Sequence, residues 1–180
     1  MSDTALAEDT ERRIVVNTMG GGCAGECDTT YTPVIPVKTT AHNSRYEVIK
    51  ADVTWEEANR ACISKGGHLA TITSPEEEAE IIAVAESSLI ERLWMGGYTT
   101  NDINGNAVGH WVTGEQFGYQ NWYSDSEPSR FDSDNAAEFY LMFWKIGDVW
   151  SWNDQRNDLV NSKYSKTYKG KMGYIIEYEN

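Results

Sequence analysis

At 180 residues, 40% of them hydrophobic and 12% aromatic, the chain is long enough to bury one sizeable core. An ordinary charged share of 24% argues against wholesale disorder, and a net charge of −13 argues against nucleic acid or an anionic membrane face as partner. No apolar run approaches the roughly 20 residues that cross a bilayer, so membrane insertion is not expected.

Residues 1–42 read as an extended N-terminal arm or linker, with six acidic and three basic residues. Its opening Met1–Asp9 has neither the basic n-region nor the apolar core of a secretory signal. Gly20-Gly21-Gly22 breaks any regular element. Cys23 and Cys27 have three residues between them in a glycine-rich turn and, with Cys62, make an odd total that speaks against a disulfide scaffold. They read as two thiols rather than a bridge or a metal pair. Thr30–Thr40 alternates like an extended strand that Pro33 and Pro36 confine to an edge. It suits pairing along a neighbouring chain, giving a homo-oligomer or a larger assembly, or else folding back as a tether.

The compact domain is expected over 43–180. Arg45–Lys50 has strand composition. A helix follows from Thr54, with Glu57 completing a capping box and Trp55, Ala58 and Cys62 forming its apolar stripe; Gly66-Gly67 stops it. His68–Ile72 reads as a short strand. A second helix opens with Ser74 as N-cap, Pro75 at the first position and Glu77 closing another box; its apolar residues include Ala79, Ile82, Ala83 and Leu89. Leu93–Gly97, Phe139–Trp144, Trp152–Asp154 and Gly173–Glu179 read as further strands, and 155–171 as a long polar insert. His68 and His110 sit in apolar strand motifs and read as core or hydrogen-bonded residues.

One stretch concentrates oxygen donors. Glu127-Pro128-Ser129 is followed by an acidic loop with Asp132, Asp134 and Glu138, and then by Trp152-Asn153-Asp154. Carboxylates, amides and hydroxyls without a soft ligand are the set a hard cation such as Ca²⁺ takes, with six to eight oxygens at roughly 2.3–2.6 Å. No His-Glu-x-x-His helix, nucleophile elbow or glycine-rich phosphate loop is present, so the chain is not expected to be an enzyme.

In this order, Trp55-Glu-Glu-Ala58, Gly66–Ile72, Ser74–Glu77, Leu93–Gly97, His110–Glu115 with Asn121-Trp122, and Gly173–Glu179 resemble C-type lectin-like domains. The resemblance covers 43–180 and implies an α+β fold with two helices, mixed and antiparallel sheets and a long calcium-binding loop. Cys62 stands at a helix cysteine of that family, yet Gly173 and Tyr174 fall where its partner would be. The chain is therefore similar to cysteine-poor members from bacteria and their viruses, and an extracellular or virion surface is the expected location.

Carried over residue by residue, the resemblance implies Ca²⁺ ligands at Glu127, Glu138, Asn153 and Asp154, with Ser129, Asp132 and Asp134 as further candidates. Glu127, Ser129, Glu138, Asn153 and Asp154 would contact the carbohydrate, after a cis Glu127-Pro128 bond. A glutamate at 127 resembles the mannose-type pattern. Ser129 departs from the family's Asn or Asp, and its hydroxyl reaches less far than an amide. Trp152 reads as core rather than sugar platform. Two functions remain open: calcium-dependent glycan binding, or a metal-independent protein-binding or structural module, for example a virion component docked by the arm.

Overall fold

The computed structural model describes residues 44–179; the expected arm, with the readings made of Cys23, Cys27 and Thr30–Thr40, lies outside them. The elements run β1 Arg45–Lys50, α1 Trp55–Ser64, β2 His68–Leu69, α2 Pro75–Ser88, β3 Arg92–Asn101, β4 Ala107–Trp111, β5 Tyr140–Ile146, β6 Val149–Gln155, α3 Ser165–Tyr168 and β7 Gly173–Tyr178.

Local chemistry explains both long helices. Thr54 accepts from the Glu57 amide while the Glu57 carboxylate accepts from the Thr54 amide, the reciprocal box expected for α1. Trp55, Ala58 and Cys62 turn inward as the spacing predicts. Gly66 ends the helix at a φ of 81°, a conformation that disfavours a side chain. Gly67 then lies against the Glu177 carbonyl, where a Cβ would collide. Cys62 is a free, fully buried thiol, and burial pushes its pKa up to about 12.

In α2, Ser74 caps the Glu77 amide at 3.1 Å with Pro75 in the first turn. The Glu77 carboxylate accepts from Thr73 N, Thr73 Oγ1 and Tyr46 OH, one residue further back than a capping box requires. The apolar residues named from the sequence do not mark the buried face. Ala79 and Ala83 are exposed, Ile82 is half-buried, and Leu89 is 89% exposed at a left-handed C-cap. Glu77, Glu78, Ile81 and Ala85 are the residues turned inward. Buried carboxylates break hydrophobic periodicity, and their donors come from distant parts of the chain.

One mixed sheet runs in the order β1-β7-β3-β5-β6, with β2 on β7 and β4 on β3. All pairs are antiparallel except β3 with β7. The expected His68–Ile72 strand shortens to His68–Leu69. Ala70 leaves the ladder to bridge two strands, donating to Ile175 O and accepting from Gly96 N. His110 stacks on Tyr98 with Nε2 2.8 Å from Thr100 Oγ1, and His68 Nδ1 lies 2.9 Å from Leu69 O. Both are half-buried hydrogen-bonded residues.

Two apolar clusters flank the sheet. Trp152 sits fully buried in one, with Trp111, Phe117, Tyr119 and Trp122 presenting edges or tilted faces to that cluster's rings. The polar insert contributes to the other through Leu159 and Tyr168. A fully buried Leu stabilises by roughly 1.5–3 kcal/mol, and Asn157 O accepts from Trp55 N at the start of α1, so 155–171 is a packed lid and not a loose loop.

Candidate functional site

The candidate residues meet at the end of β6. Trp152 is anchored in the core, and the strand's alternation then places Asn153 and Asp154 on opposite faces. The anchor is electrostatic as well as apolar. Glu78, 6% exposed, accepts from Trp152 Nε1 at 2.9 Å, Tyr119 OH at 2.7 Å and Asn121 Nδ2 at 3.0 Å. Tyr123 N donates to Trp152 O, and Trp152 N to Asn121 O, so 121–123 runs alongside the strand.

From there the chain turns through a cis Glu127-Pro128 bond, as the resemblance implied. Ser129 N and Arg130 N donate to the two oxygens of the fully buried Asp154, at 3.0 and 2.7 Å. Arg130 takes a left-handed φ of 63° there. Glu138 N donates to Arg130 O and Phe131 bridges Ala137, closing 130–138 as a hairpin. Its base brings Glu138, 6% exposed, back toward Asp154. Ser129 Oγ lies 3.2 Å from Glu138 Oε2 and 3.4 Å from Asp154 Oδ1.

Glu127, Glu138 and Asp154 thus lie within electrostatic reach of one another. Burial, then the Asp154 charge, pushes Glu138 up to about 7, with Glu127 and Asp134 adding and the Ser129 hydroxyl opposing. Glu127 is raised by burial, then by hydrogen bonding and charge from Asp154. Glu127 Oε2 is buried with no hydrogen-bond partner. A desolvated acidic cluster with an orphaned oxygen calls for a proton or a cation.

The remaining candidates are engaged elsewhere. Asn153 Oδ1 accepts from Gln155 Nε2. Asp132 and Asp134 are ion-paired with Arg156 and approached by Lys163. Among the described residues, no group of three or more His, Cys, Asp or Glu side chains stands in a metal-holding arrangement. Glu127, Ser129, Glu138 and Asp154 are brought together; Asp132, Asp134 and the Asn153 amide oxygen are not turned to the same point.

Sequence reasoning missed four contributors: Glu78, Gln155, Arg156 and Lys163. A cation two residues after Asp154 in an acidic chain was a signal for Arg156. Glu78 is the last of three consecutive glutamates and had none.

A profile of the Lectin C-type domain matches residues 51–171. The galactose-specific lectin nattectin of Thalassophryne nattereri is 30% identical over 118 residues, covering 63% of this chain and 72% of that protein. Human versican core protein is also 30% identical, over 68% of this chain, although the match spans only 3% of versican. Among solved structures, an SPL-1–GlcNAc complex superposes with a TM-score of 0.54 at 26% identity, covering 74% of this chain and 86% of that one.

Proposed function

Because the chain belongs to the C-type lectin domain family, we propose that it binds carbohydrate at the Glu127–Ser129, Glu138 and Asn153–Asp154 site, through one Ca²⁺. The observation that carries this reading is the convergence of Glu127, Glu138 and Asp154, with Glu127 Oε2 buried and unpartnered. The donor chemistry fits a hard cation, since every candidate ligand is an oxygen. Glu127, Glu138 and Asp154 would hold the ion, joined by the Asn153 amide oxygen once released from Gln155. When bound, Ca²⁺ supplies a hard Lewis centre to which two neighbouring sugar hydroxyls can coordinate. Glu127 and Glu138 accept hydrogen bonds from those hydroxyls, and the Asn153 amide nitrogen donates to them. Asp154, fastened to two backbone amides, keeps the loop and strand in register.

The glutamate at 127 supports a mannose-class ligand. One shallow site of this kind is weak, so useful avidity would come from several copies, consistent with an assembly through the arm on an extracellular or virion surface. Among the described residues no helix is long and apolar enough to cross a membrane. The engagement of Asn153 and of both Asp154 oxygens favours a second reading, a metal-independent protein-binding module of the same fold.

Calorimetric titration separates the two. The lectin reading expects Ca²⁺ to bind with a dissociation constant near ~10⁻³ M, and mannose to bind only in its presence. No heat with Ca²⁺ and no mannose binding would leave the second reading. Ser129→Asn is expected to supply a longer amide oxygen and tighten Ca²⁺ by about 1 kcal/mol, roughly fivefold. An unchanged or weakened affinity would mean that residue 129 does not face the ion.

A further inference from the structure

The 130–138 hairpin carries Asp132, Asp134 and Glu138 within seven residues, a density of like charge that should spread it open. It is closed instead. Asp132 N donates to Ala136 O, Asn135 N to Asp132 O and Glu138 N to Arg130 O. The counter-charge comes from the lid. Arg156 Nη2 donates to Asp132 Oδ2 and, at 2.6 Å, to Asp134 Oδ1. Lys163 Nζ stands 3.1 Å from Asp134 Oδ2, 3.2 Å from Ser133 Oγ and 3.9 Å from Asp132 Oδ1. The Tyr164 ring has Arg156 Cζ at 5.3 Å and Lys163 Nζ at 4.8 Å, and its hydroxyl is 3.3 Å from Ser133 Oγ. Two negative and two positive charges are matched around one ring. The Asp132 and Arg156 side chains are 8% and 16% exposed, so the pair is shielded from water in a way most surface pairs are not.

We propose that Arg156 and Lys163 form a brace that orders the 130–138 hairpin without any metal, and that Arg156 is thereby a positioning residue for Glu138 and Ser129 at the hairpin's base. Asp132 and Asp134 are held at its tip by the lid, so they serve as anchoring groups and not as cation ligands. The site then takes a single cation per chain, and its loop is already shaped before that cation arrives. Only the statements about cation binding rest on the lectin reading; the order of the hairpin does not.

Hydrogen exchange of the full chain in chelator tests the brace directly. The amides of Asp132, Asn135, Ala136 and Glu138 are expected to be protected without Ca²⁺. In Arg156→Met/Lys163→Met, protection across 130–138 should fall roughly tenfold or more, while β3 and β7 amides keep theirs. Arg156→Lys, which keeps the charge but loses the fork, should fall between. Should the double variant not fold, Asp134→Asn in the full chain is expected to give a smaller loss confined to the same amides. Wild-type amides that exchange freely in chelator, or variants protected like wild type, would overturn the brace. Two Ca²⁺ per chain in the wild type would overturn the sequestration of Asp132 and Asp134. A protected hairpin in a chain that binds neither Ca²⁺ nor mannose would uphold the brace and reject the lectin reading.

Discussion

On the lectin reading, Ca²⁺ is expected to raise the melting temperature of this protein and Asp154→Ala to abolish that rise. At 10 mM Ca²⁺ and a dissociation constant near ~1 mM, native-state binding contributes about 1.4 kcal/mol. That corresponds to a rise of about 3–6 °C for a domain of this size, and the variant should show none. The carboxylate is fully buried and takes the Ser129 and Arg130 amides. Its loss leaves both donors unpaired, yet it also relieves the charge that raises Glu127 and Glu138. The two effects oppose each other, so the metal-free variant should remain folded, destabilised by about 1–3 kcal/mol. Asp154→Asn separates the contributions, since it keeps an acceptor for the loop while removing the charge. Melting curves of the three proteins with and without Ca²⁺ check the expectation. An intact Ca²⁺ response in Asp154→Ala would reject the proposed ion position.

The second large effect is expected far from the loop. Glu78→Ala removes the acceptor for Trp152 Nε1, Tyr119 OH and Asn121 Nδ2 at once. Unsatisfied buried donors cost about 1–3 kcal/mol each and do not add fully, so a loss of about 3–4 kcal/mol is expected. Chemical denaturation should show it as a lower midpoint with an unchanged slope. Glu78→Gln keeps one oxygen acceptor and should lose about half as much. Because Trp152 precedes Asn153 and Asp154, Glu78→Ala should also weaken Ca²⁺ binding without touching a ligand. A change within about 0.5 kcal/mol would show that the aromatic packing around Trp152 suffices alone.

How much of this was legible in the sequence varied with the range of the chemistry involved. The Thr54–Glu57 box, the Ser74 cap and the Gly66 stop act within three or four residues, and all stand where their spacing put them. The Lectin C-type assignment was carried by motif order, which survives even though no single motif is specific. The inward face of α2 cannot be read from periodicity, which counts apolar residues, because Glu77 and Glu78 are buried for their hydrogen bonds. Those donors are supplied by Tyr46, Tyr119, Asn121 and Trp152, up to 74 residues away. The same limit applies at the site. Glu127, Ser129 and Glu138 could be read from a local motif, whereas Asp132 and Asp134 look like ligands until Arg156, 24 residues on, takes them. A polar insert likewise conceals Leu159 and Tyr168, which an average over its composition dilutes.

The order of strands in the sheet carries a consequence for how the molecule is made. β7, the last of the described strands to be synthesised, lies between β1 and β3, with Arg45 opposite Tyr178. While a ribosome is still translating the lid, β1 has no neighbour to pair with and the sheet stays divided. Closing it requires contacts across more than a hundred residues, which is slow compared with forming either helix. During that interval an aromatic-rich chain with open strand edges is exposed to aggregation, so its yield in cells should depend on chaperone supply and on how quickly the final strand clears the exit tunnel.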